Sequence, residues 1–293
     1  MTTTPSSTTP APSPAAPSPD EIAATALIAE AKPFAIALAR EAGAILRAYQ
    51  ERGFDIVHKG TVDLVTDADK ASETLIATRI RERFPEHRLL GEEGARGASD
   101  PDAPFGWVID PLDGTTNFAH HYPQFAVSLG LELGGDPILG VVYDPSRDEL
   151  FVGARGEGAT LNDRPIHVST TATVRQSLLA TGFSYDLTQR AEATALWTAF
   201  NNAGQGLRRD GAAALDLCWV ACGRLDGYFE RPVMPWDMAG AVAILREAGG
   251  IVTALEDDDW RLERSEAVAA GPHLIAEMKA IIASTLAAAR SGR

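Results

Sequence analysis

The chain has 293 residues, of which 45% are hydrophobic and 23% are charged. That length and composition are typical of a globular protein with one large or two modest domains, and they exclude a small disulfide-stapled fold, a coiled coil and a largely disordered chain. The 26 basic and 40 acidic residues give a net charge of −14, which disfavours a nucleic-acid partner because phosphate backbones are also negative.

The first segment of the chain has an unusual composition. Residues 1–19 contain only Ser, Thr, Pro and Ala after Met1, and so little apolar surface cannot offset the conformational entropy of folding. We therefore expect a disordered tail without a secretory signal. The longest uncharged stretch outside this tail, residues 114–131, carries several polar side chains, so we expect no membrane span and a cytoplasmic protein.

Two helices and a group of strands follow the tail. A helix is predicted over residues 20–50, with Pro33 either kinking it or marking an early start, and a second helix over residues 67–84. Short apolar runs then predict strands at residues 87–90, 107–109, 125–133, 138–143 and 150–152. Gly134 and Gly135 permit the tight turn of an antiparallel hairpin between the third and fourth of these strands.

The remainder of the chain alternates between helices and strands. Helices are predicted at residues 191–202, 212–222, 238–248 and 273–289, and strands at 178–181, 225–229 and 250–254. This interleaving predicts a layered α and β protein, which we divide into halves at residues 20–155 and 156–293. Cys218 and Cys222 lie four apart in a predicted helix, where buried small side chains are a better explanation than a disulfide or a metal pair.

Three acidic clusters lie at the ends of predicted strands or helices: residues 90–94, 107–117 and 235–240. In the second cluster an apolar strand ends at Asp110, Pro111 bends the chain, and Asp113 follows. This spacing lets both carboxylates and the carbonyl group of Leu112 face one point. Hard cations such as Mg²⁺ prefer oxygen ligands of this kind, and two ions that share a carboxylate can clamp the attacking and leaving oxygens of a phosphoryl group.

The residues directly after this cluster predict an anion site. Gly114 and Thr115 open a short helix or turn, where glycine permits close approach and free backbone N–H groups bind phosphate. Alone, an Asp-Pro-x-Asp-Gly string is more typical of a surface turn, and paired glutamates are more typical of a solvated face. The joint occurrence of three clusters beside apolar segments favours a combined metal and phosphate site.

These segments resemble the inositol monophosphatase family, one of the magnesium-dependent, lithium-sensitive sugar and inositol phosphatases. The two long signatures of that family resemble residues 107–120 and 236–250, and shorter likenesses lie at residues 63–69, 91–93 and 223–230. The likeness covers about residues 20–285. Because it consists of several motifs in the right order, a chance match is improbable. The resemblance implies an α+β fold built as a layered α-β-α-β-α sandwich of the sugar phosphatase type, and a homodimer.

The resemblance also implies a set of metal ligands for two or three magnesium ions. Glu92, Asp110 and the carbonyl group of Leu112 would hold one Mg²⁺, and Asp110, Asp113 and Asp237 would hold a second. A third, weaker ion would share Glu92 with water molecules.

Catalytic and phosphate-binding roles follow from the same resemblance. Thr115 and Asp69 would orient and deprotonate a water activated by metal, together with Glu92, and the backbone N–H groups of Gly114 and Thr115 would bind the phosphate. His120 and His121 are close in sequence, but no histidine nucleophile is required, and we expect a supporting or surface role for both.

Substrate-binding residues are assigned in the same way. Glu230 would accept hydrogen bonds from polyol hydroxyls, and the backbone of Ala213 would lie against the ring. The sequence departs from the family beside this point, because Ala212 replaces a frequent Ser or Thr and Asp210 replaces an uncharged residue. Strict inositol specificity does not follow from such a pocket.

The expected function is hydrolysis of inositol 1-phosphate, or of a closely related polyol monophosphate, by metal-activated water, with inhibition by lithium. Two alternatives within the same fold are histidinol phosphatase and fructose-1,6-bisphosphatase activity, although residues 116–118 and 235–236 look more like the inositol branch than the histidinol branch. An alternative of another class is a non-catalytic regulator that binds protein or RNA. The complete set of acidic residues favours an enzyme.

Overall fold

The computed structural model describes residues 19–58, 64–97, 100–184 and 190–291. The predicted tail lies outside the described residues, apart from Pro19 at the start of the first helix. Asp63, the first residue of one family-like segment, also lies outside them.

The described residues form seven α-helices, and every helix that the sequence predicted is among them. Their bounds are α1 Pro19–Arg52, α2 Asp67–Arg83, α3 Thr115–Ala119, α4 Arg190–Ala203, α5 Ala213–Ala221, α6 Pro235–Glu247 and α7 Ile275–Ser291. Helix α1 continues through Pro33. The alternative that Pro33 marks an early start is therefore wrong.

Fifteen strands are formed within the described ranges. They are β1 Ile56–His58, β2 Leu64–Thr66, β3 Arg88–Gly91, β4 Arg96–Gly97, β5 Phe105–Asp113, β6 Ala126–Leu133, β7 Asp136–Asp144, β8 Glu149–Ala154, β9 Gly158–Leu161, β10 Arg164–Pro165, β11 Leu178–Thr181, β12 Gly206–Arg208, β13 Gly227–Glu230, β14 Ile251–Thr253 and β15 Ala267–Ala270. Strands β1 and β2 form a small antiparallel pair. An eight-stranded sheet has the order β10-β9-β8-β7-β6-β5-β3-β4, and a five-stranded sheet has the order β12-β11-β13-β15-β14.

All eight predicted strands form, but the strand predictions need correction in two respects. The strand expected at residues 107–109 runs from Phe105 to Asp113, so it includes the residues that were expected to bend away after it. Seven strands were not predicted, namely β1, β2, β4, β9, β10, β12 and β15. Of these, β15 lies between β13 and β14 and is buried along its whole length. Its sequence, Ala-Val-Ala-Ala, has too few β-branched or aromatic side chains to stand out as a strand. The predicted hairpin is confirmed, since β6 and β7 pair antiparallel and Gly134 and Gly135 both have positive φ.

The two sheets and the helices form five layers. Helices α1 and α2 cover one face of the eight-stranded sheet, and α5 and α6 lie between the two sheets. Helices α4 and α7 cover the far face of the five-stranded sheet. Three hydrophobic clusters fill the spaces between these layers. The expected α-β-α-β-α sandwich is confirmed. The first sheet extends to Pro165, past the division predicted near residue 155.

A row of glycines lets α6 lie unusually close to the eight-stranded sheet. Gly140 on β7 pairs with Gly130 on β6 and with Gly153 on β8, so the three positions are neighbours across the sheet. A Cβ atom added at any of them would lie 1.9–2.6 Å from atoms of α6, namely Ala239 Cβ, the Gly240 carbonyl oxygen and Ile244 Cα. The row therefore sets the height of α6 above the sheet, and with it the position of the residues at the start of α6.

Helix α1 contains an apolar segment that the expectation of no membrane span overlooked. By length and composition alone, residues 21–52 are long and apolar enough to cross a membrane. The side chains of α1 that face the sheet are buried in the first hydrophobic cluster, including Ile28, Leu38 and Leu46. Many of the others are alanines, which raise the apolar content of a helix without marking a membrane span.

Replacement of Gly140 by Ala tests the glycine row. Because the new methyl group would collide with the backbone of α6, we expect the free energy of unfolding to fall by about 1–3 kcal/mol. Urea denaturation of the purified protein measures this change. As a control, Ala37→Ser on the exposed side of α1 should change stability by less than about 0.5 kcal/mol. An equal effect of the two substitutions would contradict the packing argument.

Candidate active site

A cavity of about 330 Å³ lies where β5, β13 and the first turns of α3, α5 and α6 meet. It is lined by all the predicted metal ligands and all the predicted substrate-binding residues: Glu92, Asp110, Leu112, Asp113, Asp237, Gly114, Thr115, Ala213 and Glu230. Residues separated by more than a hundred positions in the sequence thus share one pocket.

Three carboxylates form the centre of the cavity. One oxygen from each of Asp110, Asp113 and Asp237 lies within 4.8 Å of the others. Asp110 and Asp113 are 1% and 6% exposed. The pairing of β5 with β6 shifts register between Asp110 and Asp113, around Pro111, which has no N–H for the strand ladder. This bulge turns both carboxylates to the same side.

The bulge is held from two directions. The Leu112 N–H donates to Asp110 Oδ1 at 2.9 Å. This N–H lies where the pairing of β5 with β6 is irregular, between Asp110 and Asp113. From α2, Ser72 Oγ donates to the carbonyl oxygen of Pro111 at 2.9 Å. Local geometry and a neighbouring helix therefore both fix the direction of Asp110.

Asp113 also caps α5. Its Oδ2 accepts the Ala214 N–H at 2.8 Å and its Oδ1 accepts the Ala213 N–H at 3.2 Å, both in the first turn of that helix. Ala212 stands at the N-cap and has no side chain that could accept these bonds. A carboxylate from β5 thus substitutes for the missing hydroxyl at position 212. The Ala213 N–H, expected to face the substrate, bonds to Asp113 in this structure.

Asp237 enters the cavity from the first turn of α6. Pro235 occupies the first helical position, and the Met234 N–H donates to Asp237 Oδ2 at 2.9 Å. The partial positive charge at a helix N-terminus favours a carboxylate at this place. The glycine row below α6 determines how near this carboxylate comes to β5.

The carboxylates repel one another strongly. Burial raises the pKa of Asp110 well above its usual range, and the charges of Glu92, Asp113 and Asp237 raise it further. Burial and the charge of Asp237 likewise raise the pKa of Asp113. Burial raises the pKa of Asp237 to about 6, against a downward pull from its bond to the Met234 N–H. These carboxylates cannot all ionise easily without a nearby positive charge. A hard divalent cation such as Mg²⁺ supplies that charge and prefers oxygen ligands, so the residues present fit such an ion.

Thr115 and Asp69 lie in contact, as the resemblance implies. Thr115 Oγ1 is 2.9 Å from Asp69 Oδ1 and 3.1 Å from the carbonyl oxygen of Leu112. The other oxygen of Asp69 accepts both the backbone N–H and the hydroxyl of Thr66, at 2.8 and 2.5 Å. Burial raises the pKa of Asp69 although these hydrogen bonds lower it. A carboxylate of raised pKa is a better proton acceptor near neutral pH.

Gly114 supplies a backbone conformation that other residues avoid. Its φ of 91° is left-handed, and a Cβ atom there would lie 2.8 Å from the carbonyl oxygen of Gln124. Asn117 Nδ2 donates to the carbonyl oxygens of both Gln124 and Asp210 at 2.7 Å. The loop after β5 is thereby tied to the loop before α5. Asp210 itself does not line the cavity.

The two histidines that follow the acidic cluster, His120 and His121, are not among the residues that line the cavity. His120 and His121 are both exposed, and His121 Nδ1 is 2.6 Å from Gln50 Oε1 on α1. This placement agrees with the surface or supporting role expected for them.

Glu230 lines the cavity from the end of β13. The Tyr228 hydroxyl donates to Glu230 Oε2, and burial raises the pKa of Glu230 to about 7. A Cβ atom at Gly182 would overlap the Glu230 carboxylate, so the glycine leaves the space that this side chain occupies. Arg209 lines the same cavity, and its charge favours the ionised form of Glu230.

Two acidic residues at the site were missed by sequence reasoning. Asp216 on α5 lines the cavity, is 2% exposed, and has one oxygen without a hydrogen-bond partner among the described residues. Glu73 on α2 is 7% exposed and bonds to the loop that carries Glu92. The available signal was an isolated acid among apolar neighbours for Asp216, and for Glu73 a spacing of four residues from Asp69 on one helical face.

The fold and sequence have clear relatives. An inositol-1-monophosphatase of Synechocystis sp. is 48% identical over 224 residues, which cover 76% of this chain and 78% of that protein. A protein of Pasteurella multocida named Nus factor SuhB is 43% identical over 250 residues, covering 83% of this chain and 92% of its own. The solved structure of inositol monophosphatase from Anabaena (Nostoc) sp. matches with a TM-score of 0.77 and 42% identity, covering 86% of this chain and 94% of that one.

Residues 28–290 match the sequence model of the inositol monophosphatase family. This range contains both sheets, all the lining residues of the cavity and most of α1 and α7. The resemblance stated from the motifs is confirmed. The chain belongs to the inositol monophosphatase family.

Proposed function

We propose that this protein is a magnesium-dependent phosphomonoesterase that hydrolyses inositol 1-phosphate or a closely related polyol monophosphate. The observation that carries the proposal is the cluster of Asp110, Asp113 and Asp237, with ligand oxygens within 4.8 Å of one another, beside the contact between Thr115 and Asp69. The acidic centre accounts for binding of a cation, and the Thr115–Asp69 pair accounts for movement of a proton. Membership of the family supports phosphatase chemistry.

The metal ligands are proposed from the donor set. Glu92, Asp110 and the Leu112 carbonyl group would hold one Mg²⁺, and Asp110, Asp113 and Asp237 a second. When bound, magnesium neutralises phosphate oxygens and lowers the pKa of a coordinated water. A third ion near Glu92 remains a prediction.

The protein residues would position the reactants and accept the proton. The Gly114 and Thr115 N–H groups would bind phosphate at the start of α3. Thr115 Oγ1 would orient the attacking water, and Asp69 behind it would receive the proton through the hydroxyl. In-line displacement at phosphorus then requires mainly positioning and charge stabilisation, with no covalent intermediate on the protein.

The alcohol part of the substrate would occupy the end of the cavity lined by Glu230 and Arg209. Ionised Glu230 accepts hydrogen bonds, so a ring with neighbouring hydroxyls suits this end. Ala213 would contact the ring through its backbone, although its N–H also bonds to Asp113. Histidinol phosphate and fructose 1,6-bisphosphate are the alternative substrates. We further propose a cytoplasmic homodimer that is inhibited by lithium, as the resemblance implies.

A non-catalytic regulator that binds protein or RNA is the alternative from another class, and the relative named Nus factor SuhB supports considering it. Binding of RNA by a chain with a net charge of −14 would require a locally basic surface. Such a role also gives no reason for the carboxylates of Asp110, Asp113 and Asp237 to converge. We therefore favour the enzyme.

Asp110→Asn tests the proposed catalysis. Loss of one charge from the centre weakens the cation site, so we expect phosphate release from inositol 1-phosphate to fall by more than about 100-fold. The same change removes repulsion, so the metal-free variant should be at least as stable as the parent. Asp102→Asn, at an exposed turn, is the control and should keep full activity. Parent activity that persists in excess EDTA would refute the proposal.

Competition between protons and magnesium gives a second prediction. The pKa of Asp237 rises from 3.8 to about 6 on folding, so the metal-free fold loses stability as pH rises from about 4 to about 6. Magnesium binds the ionised carboxylates and reverses this loss. The increase in Tm on adding Mg²⁺ should therefore be large at pH 8 and shrink as pH falls through 6.

Thermal unfolding with MgCl₂ and with EDTA, measured between about pH 5 and pH 8, checks this prediction. Asp237→Asn should give a smaller and flatter response to magnesium than the parent. An increase in Tm of the same size at both ends of the pH range would show that these carboxylates do not hold the ion.

Glu230→Gln tests the substrate end of the cavity. We expect kcat/KM for inositol 1-phosphate to fall by about 10- to 100-fold, the usual size for one discriminating contact. Hydrolysis of p-nitrophenyl phosphate, which has no polyol hydroxyls, should change little. If both esters lost activity equally, Glu230 would have a structural role instead of a substrate contact.

A further inference from the structure

A buried carboxylate, that of Glu73, binds backbone N–H groups of the loop that carries Glu92. This loop joins β3 to β4, and Glu73 of α2 lies beneath it with only 7% of its surface exposed. Glu73 Oε2 accepts the Glu93 N–H at 2.7 Å, and Oε1 accepts the Ala95 N–H at 2.6 Å. Both oxygens of one side chain therefore hold the backbone immediately after Glu92.

The backbone immediately before Glu92 is fixed as well. Arg96 Nη1 donates to the carbonyl oxygens of Gly91 and Ala95, both at 2.8 Å. A Cβ atom at Gly91 would lie 2.8 Å from Glu73 Oε2, so a glycine is needed for the loop to close over the carboxylate. An anion thus holds the amide groups of the loop and a cation holds its carbonyl groups, with Glu92 between the anchored positions.

Holding this loop with a buried carboxylate has a free-energy cost, because burial disfavours the ionised form of Glu73. Burial raises the pKa of Glu73, and the nearby charge of Glu93 raises it further, while the two N–H bonds lower it. Burial of a carboxylate costs free energy unless hydrogen bonds replace those lost to water. A glutamine could not replace it, because its NH₂ group would face one of the two backbone N–H groups.

Glu73 and Asp69 lie four residues apart on the buried face of α2. Asp69 contacts Thr115, and Glu73 holds the loop of Glu92. One rigid helix therefore sets the distance between the proposed proton acceptor and the proposed ligand of the first magnesium ion. A helix surface is a more precise support than the loop itself.

We propose that Glu73 is a positioning residue that sets the Glu92 carboxylate at the cavity and thereby sets the affinity for the divalent metal. This inference rests on the proposed metal-dependent function. Removal of a residue that orients a metal ligand typically lowers metal affinity by about 10- to 100-fold. Because the ligand itself remains, saturating metal should restore most of the turnover.

The test compares Glu73→Gln with Glu82→Gln, a matched change at an exposed position of the same helix. Manganese binding to each purified protein is measured by electron paramagnetic resonance. In Glu73→Gln we expect the Kd for Mn²⁺ and the Mg²⁺ concentration for half-maximal activity to rise together by about 10- to 100-fold, with kcat at saturating Mg²⁺ nearly unchanged. Glu82→Gln should match the parent in all three quantities.

Gly91→Ala provides a second variant that approaches the same contact from the loop. Its methyl group would press on Glu73 Oε2, so we expect it to weaken Mn²⁺ binding as well. Circular dichroism establishes that each variant is folded, and if Glu73→Gln does not fold, the Gly91→Ala result decides the question. Folded variants that bind Mn²⁺ as tightly as the parent, with only a lower Tm, would overturn the positioning role.

Failure of this inference can be told apart from failure of the proposed function. A parent protein that requires magnesium, with variants whose metal affinity is unchanged, refutes only the role of Glu73. A parent protein that releases phosphate equally well without divalent metal refutes the proposed function and this inference with it.

Discussion

Repulsion between buried carboxylates is the constraint around which this structure is organised. Asp110, Asp113 and Asp237 are brought together where burial opposes their ionisation. Each accepts a backbone N–H from a different place: Leu112 in the bulge of β5, Ala213 and Ala214 at the start of α5, and Met234 before α6. These bonds orient the carboxylates and offset part of their repulsion. A bound divalent cation would neutralise the repulsion that these bonds leave, so metal binding and the stability of the fold should be linked.

Packing far from the chemistry determines whether that centre exists. Asp237 begins a helix whose height above the large sheet depends on Gly130, Gly140 and Gly153, side by side on three strands. A larger residue in this row would lift α6 and move Asp237 away from β5. On the other side, α2 brings Asp69 to Thr115 and Glu73 to the loop of Glu92. Two helices on opposite faces of one sheet therefore converge on the end of β5.

Much of the fold was readable from local patterns. The predicted helices and all eight predicted strands formed because apolar spacing, caps and glycines act over a few residues, and the Gly134–Gly135 hairpin is an example. Strand β15 escaped notice because its burial comes from its neighbours and not from its own side chains. Asp110 and Asp113 were predicted because they are close in sequence beside an apolar strand. Glu73 and Asp216 were missed because the local signals, apolar neighbours for Asp216 and the spacing of four residues from Asp69 for Glu73, do not establish by themselves that a helical acid faces inward.

The sequence by itself determined the layered α and β class, the family and the identity of the oxygen donors, because these depend on residue type, order and short-range spacing. Only the tertiary structure decided which charged and polar groups lie close enough to interact. It made Asp113 the cap of α5 in place of a hydroxyl at position 212, brought Gly182 against the Glu230 carboxylate, and left Asp210 outside the cavity lining. The physical reason is that hydrogen bonds and charge interactions depend on distances of a few ångströms between residues more than a hundred positions apart, and only the packed sheets and helices set those distances.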